Sequence, residues 1–349
     1  MVLSGSQKAF YGEFAEHGNG DALVRISPRE VVLLTIITRL DLHNGRREPW
    51  MDSEILSVAQ KGLYNIDSDD IEKLPSLNED YAYKILGFAE VEDNEKPEHL
   101  YLKTLSSLYR RRTKYWRILR DQPFPTADQI APRTLLEYGN CDDSLLFSWM
   151  AWRKLAYDLD NRSGQETGYL FEPILVACLG GASLGARNSV VHRIDDQGNV
   201  HTQEGRQVDC YVKETKTVYE LKMRVTIAAS GQGRFREELS FPSEVAAAGL
   251  TPVLVVFDPT SSSRLSELSA AYENAGGQSA TGDDAWALLK NNAEDGMAIF
   301  IEKYVEPLID SARRGIPLEP APITLAISEG GILISSTSGA ELRIPRRQY

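Results

Sequence analysis

Two short stretches of apolar–polar alternation, RQVDCYV (206–212) and TVYELKMRV (217–225), constrain this chain most. A side-chain period of two belongs to a β-strand, where successive residues face opposite ways. Only KETK (213–216) separates the two runs, so an antiparallel hairpin is expected. In the first strand Val208, Cys210 and Val212 alternate with Gln207, Asp209 and Tyr211. In the second, Tyr219, Leu221, Met223 and Val225 form an apolar face that packs. The other face carries Val218, Glu220, Lys222 and Arg224. The hairpin can thus bring Asp209 beside Glu220 and Lys222. One reading is a solvated strand with a surface ion pair, which contributes little. The other is chemical. Two carboxylates and a main-chain carbonyl can hold Mg²⁺, the ion can polarise a phosphoryl oxygen and supply a bound water, and a lysine beside it can stabilise the charge that develops or help deprotonate that water.

The flanking segments give this hairpin a frame. ETGYLFEPILVACLG (166–180) reads as a helix whose first turn tolerates Pro173, and GGASLGAR (180–187) as its end. ARNSVVHRI (186–194) reads as a strand, GRFREELSFPSEVAAAG (233–249) as a helix, and TPVLVVFDP (251–259) as a buried strand. The order is α-β-β-β-α-β. Residues 1–160 read as mostly helical; SPREVVLLTIITRL (27–40) opens with Ser27 as N-cap, Pro28 in the first turn and Glu30 three residues after the cap. NRSGQ (161–165) reads as a loop, and SWMAWRKL (148–155) as core. Beyond 260 come helices, then short strands over 322–345. The expected division is a helical region, 1–160, and an α/β domain with a mixed central sheet and C-terminal elaboration, 161–349.

Asp209 followed by Glu220-Leu221-Lys222 in this frame resembles the PD-(D/E)xK nuclease superfamily, which includes most type II restriction endonucleases. Val208 stands where the pattern usually has proline. GYLFEPILVACLGG, RQVDCYV and YELKMRVTIAASGQGR are similar to the ApaLI-like group of type II enzymes. The resemblance implies a restriction-endonuclease-like core and Mg²⁺-dependent cleavage of double-stranded DNA to 5′-phosphate ends. It implies Asp209, Glu220 and the Leu221 carbonyl as metal ligands, and Lys222 to position the water or stabilise the transition state. Glu172, ahead of Glu166, is the candidate helix carboxylate. Arg224, Gln232, Arg234 and Arg236 become candidates for DNA contact. Palindromic DNA has two-fold symmetry, so a homodimer is the economical arrangement. A repair or structure-selective nuclease on the same core is an alternative, as is a noncatalytic DNA-binding protein.

A second unusual segment is SLYRRRTKYWRILR (107–120), with Arg110, Arg111, Arg112, Lys114, Arg117 and Arg120 and no acid. On a helix, Leu108, Tyr115, Ile118 and Leu119 can pack while the basic residues meet phosphates; the plainer reading is a solvated face. A net charge of −12 argues against an indiscriminate nucleic-acid coat but leaves room for one basic cleft. The three cysteines are scattered, which fits a reducing cytoplasm rather than a disulfide framework. MVLSGSQKAFYGEF shows no secretory pattern, no apolar run is long enough to span a membrane, and no nucleotide-binding phosphate loop is present.

Overall fold

The structure, a computed structural model, describes residues 2–18, 23–195, 197–223, 232–315, 322–328 and 330–345. It is a mixed α/β arrangement with many helices. Helix α1 (Pro28–Leu42) starts as the sequence expects: Pro28 occupies the first turn, and the Ser27 backbone N–H donates to Glu30 Oε2 at 2.6 Å. Along α1, ten residues are buried, including Val31, Leu34 and Ile37. Helix α2 (Pro97–Asp121) packs on it and carries the basic segment.

Helix α3 (Asp143–Cys178) is longer than expected. NRSGQ is not a loop; the helix runs through it and through Pro173. Its middle is pinned to α2, where Glu166 pairs with Arg111 and Lys114, and Arg162 donates to Gln122 Oε1 at 2.7 Å. The 160/161 division therefore falls inside a continuous helix. Helix α3 ends at GG: Gly180 has φ +66°, and Gly181 lies so close to the Val208–Val212 strand that a Cβ would sit 2.4 Å from Cys210 Sγ.

The central sheet has five strands: β1 (Ala182–Leu184), β2 (Val208–Val212), β3 (Thr217–Lys222), β4 (Thr251–Val256) and β5 (Gln278–Thr281), side by side in that order. Strands β1–β2 and β2–β3 are antiparallel, while β3–β4 and β4–β5 are parallel. In the expected hairpin Cys210 pairs with Tyr219 and Val212 with Thr217. ARNSVVHRI is not a sheet strand. Residues Ala186–Asn188 form a 3-10 turn, and His192–Ile194 joins Val200–Gly205 in a separate ribbon. The edge position falls to Ala182–Leu184 because the two glycines bring the chain directly onto β2. The QSAT strand, β5, was not foreseen; with four residues it has too little alternation to register as a pattern.

Both faces of the sheet are covered. Cys210, Val212, Tyr219, Val253 and Val255 join the larger core with α1, α2 and the end of α3. Val208, Val218, Leu254 and Val256 meet Phe241 and Val245 of α4 (Gln232–Ala247) and Leu265, Leu268 and Tyr272 of α5 (Ser263–Asn274). A C-terminal sheet, Ile323–Ser328, Gly331–Ser336 and Glu341–Pro345, places Ile332 and Ile344 against Leu155 of α3. Trp149 is not core but 54% exposed, and Tyr115 also faces outward.

Candidate active site

The burial of both sheet faces changes the setting of the charged row on β3. Glu220 and Lys222 do not lie on an open strand. They line a cavity of about 410 Å³ with Asp209 from β2, Glu238 and Phe241 from α4, and Tyr272 from α5. The hairpin register accounts for the meeting: Asp209 and Glu220 lie one step beyond the Cys210–Tyr219 pair. Asp209 Oδ2 accepts the Leu221 backbone N–H at 3.0 Å, which fixes the carboxyl against β3.

Lys222 sits among carboxylates in this cavity. Lys222 Nζ donates to Glu220 Oε1 at 3.1 Å and lies 3.6 Å from Glu238 Oε1, with its side chain only 16% exposed. Burial alone would lower the Lys222 pKa, but Glu220 and Glu238 outweigh it and hold it raised. The ammonium therefore stays charged at neutral pH. Burial, then the nearby Glu220, pushes Asp209 up to about 8, with Glu172 adding to the effect. Burial and Glu220 likewise raise Glu172. Lys222 thus meets carboxylates from both strand and helix, while Arg193 and Arg206 lie on the same cavity wall.

Asp209 and Glu220, brought side by side by the hairpin, suit a divalent cation. Among the described residues, no group of three or more His, Cys, Asp or Glu side chains forms a metal cage. Mg²⁺ does not need one, since it commonly takes one or two carboxylates and keeps several waters. Asp209, Glu220 and the Leu221 carbonyl are a donor set of that kind. Glu172 does not line the cavity, yet its charge reaches both Glu220 and Asp209. Glu166 is elsewhere, held by Arg111 at 2.9 Å and by Lys114.

The basic segment is largely committed inside the protein. Arg110 cannot meet a phosphate: it is 3% exposed, donates from Nε to the Ser106 carbonyl at 3.1 Å and bonds the Glu16 carbonyl. Burial lowers its pKa to about 10, a further sign of an enclosed guanidinium. Arg111 and Lys114 bind Glu166, and Arg112 lies over the Tyr64 ring at 4.5 Å. Arg117 is exposed, although one of its nitrogens donates to the Leu23 carbonyl at 3.3 Å. Arg236 is exposed on α4. Arg224 and the side chains of Gln232 and Arg234 lie outside the described residues.

A sequence model described as ApaLI-like restriction endonuclease matches residues 66–306, more than half of the chain. The chain belongs to the ApaLI-like restriction endonuclease family. It is also 54% identical over 209 residues to the type II restriction enzyme ApaLI of Acetobacter pasteurianus, a stretch that is 59% of this chain and 54% of that protein. The chain therefore spans about half the length of the curated relative it matches. No solved structure matches. The ApaLI-like segment includes every element that builds the cavity and leaves out the C-terminal sheet.

Within this ApaLI-like segment, sequence reasoning missed Glu238, Tyr272 and the cavity wall formed by Arg193, Arg206 and Gln207. Gln207 was findable, being two residues before Asp209. Glu238 lay in the expected helix, but nothing local distinguishes it from Glu237. Tyr272 arrives from α5, fifty residues beyond Lys222, and has no sequence signal of its own.

Proposed function

We propose that this chain is a Mg²⁺-dependent, sequence-specific endodeoxyribonuclease of type II, acting on double-stranded DNA, and that its β1-β2-β3-α4-β4 arrangement behind α3 is a PD-(D/E)xK core. The observation that carries the reading is the meeting of Asp209, Glu220 and Lys222 in one cavity, with Glu172 in electrostatic reach. Membership of the ApaLI-like family supports it. Asp209 and Glu220 would hold Mg²⁺, with the Leu221 carbonyl as a third ligand. Bound there, the ion supplies Lewis-acid polarisation of a phosphoryl oxygen.

The chain's own groups do the rest. Lys222, kept protonated by its two glutamates, presents positive charge where the attacked phosphate gains negative charge. Its raised pKa makes it a poor base, so its role is electrostatic rather than proton abstraction. Glu172 orients the attacking water or supports a second ion. Attack of water on phosphorus would break the bond to the 3′ oxygen, with the water's oxygen kept on the 5′-phosphate and a proton from solvent completing the 3′-hydroxyl, while the proton lost by the water passes to solvent. Among the described residues, Arg117 and Arg236 are the exposed cations of the candidate set and would contact phosphates. A homodimer would match the two-fold symmetry of a palindromic site.

Incubation of the purified chain with plasmid DNA, in Mg²⁺ and in EDTA, tests this. Discrete Mg²⁺-dependent fragments with 5′-phosphate ends are expected. Structure-dependent cutting, or binding to varied DNA without any cleavage, contradicts it.

A further inference from the structure

The ribbon formed by His192–Ile194 and Val200–Gly205 is tied to α4 and closed by its own turn. Beside its turn, the Ile194 N–H donates to Glu244 Oε1 at 3.3 Å, and at its root Arg206 Nε lies 2.9 Å from Glu244 Oε2. Gly205 fits closely there, since a Cβ would sit 2.0 Å from the Ala186 carbonyl oxygen. At the tip, Asp195 Oδ1 accepts the backbone N–H groups of Gln197 and Asn199 at 2.9 and 2.8 Å. Between these two anchored ends, residues 200–204 are all exposed, so their side chains are free to meet a ligand.

The pairing is irregular at an informative place. His192 pairs with Gly205 and Arg193 with His201, so Thr202, Gln203 and Glu204 are inserted opposite a single step of the other strand. Bulges turn side chains out of the ladder and recur beside active sites. Arg193 and Gly205, which flank this one, line the same cavity as Asp209, Glu220 and Lys222.

We infer that the bulge reads base edges of the DNA held for cleavage, with Thr202 and Gln203 as specificity-determining residues. A two-stranded ribbon fits the major groove. The Gln203 amide carries a donor and an acceptor, the pair that matches adenine, while Thr202 offers a hydroxyl and a methyl. Neither is charged, so neither adds to the backbone attraction that Lys and Arg supply; what they offer is discrimination. Glu204 is tied to Arg193 at 4.0 Å and is the less available of the three. The inference rests on the nuclease reading above and adds where sequence is read.

The test uses the full chain, its Thr202→Ala and Gln203→Ala variants and the double variant, a randomised duplex library with Mg²⁺, and sequencing of the cut ends. Thermal unfolding checks that the variants fold. Relaxed choice at one or two positions is expected, with discrimination there reduced by about tenfold or more. Unchanged discrimination in the double variant overturns the inference and leaves the nuclease reading standing. If the double variant folds but cuts nothing, affinity selection from the same library with Ca²⁺ in place of Mg²⁺ decides: a wild-type binding preference overturns the inference, and a lost one supports it. A wild-type chain that cuts no member overturns both.

Discussion

Replacing Asp209 with asparagine should stabilise the metal-free protein, and by more at pH 8 than at pH 5. The carboxyl is moved from an ordinary 3.8 to about 8, by burial first and then by Glu220. Because the folded-state pKa lies above the unfolded one, the folded chain binds the extra proton between those values. Stability is therefore present at low pH and lost as pH rises from about 4 to about 8. One such proton is worth about 1.4 kcal/mol per pH unit, so the ceiling between pH 5 and pH 8 is about 4 kcal/mol. Movement of Glu220 and entry of water relieve part of the repulsion, and a difference of about 2 kcal/mol is expected. Asparagine keeps an oxygen to accept the Leu221 N–H, so the local bond survives. Urea unfolding in EDTA at both pH values measures the gap. Added Mg²⁺ at pH 8 should stabilise the wild type and leave Asp209→Asn unmoved. A gap of the same size at both pH values, or a variant less stable at pH 8, would refute the reasoning.

Other substitutions separate structural from catalytic roles. Arg110→Ala should cost about 2–4 kcal/mol, because a buried guanidinium with main-chain partners is removed; a stable variant with weakened DNA binding would restore the DNA-contact reading. Glu166→Gln should lower stability by about 1–3 kcal/mol through the unpaired Arg111 and Lys114, and leave the cleavage rate of the folded fraction unaltered. Glu238→Ala should free Lys222 from its second partner and reduce cleavage about tenfold with DNA affinity retained; a loss of affinity alone would place Glu238 in binding rather than in the site.

The Asp209–Glu220–Lys222 meeting was legible because alternation is local and a four-residue turn leaves the hairpin little choice of register. TPVLVVFDP was legible for a related reason, since a strand covered on both faces needs a continuous apolar run. What escaped the sequence depends on partners far along the chain. Arg110 reads as a surface cation until the Glu16 carbonyl, ninety-four residues away, is seen to bond it. Glu238 and Tyr272 enter the cavity only because α4 and α5 dock on the sheet. NRSGQ has loop composition, but its own Arg162 is tied to Gln122 at the end of α2 and the adjoining Glu166 to Arg111 within it, and those ties hold the segment in the helix.

The most direct test of the proposed site is single-turnover cleavage of one defined DNA duplex by the wild type, Lys222→Ala and Glu220→Gln, with binding to that duplex measured alongside. If the cavity is the reaction centre, both variants should fold, retain the wild-type affinity within about threefold, and cleave at least about a hundredfold more slowly in Mg²⁺. Wild-type rates in either folded variant would contradict the assignment.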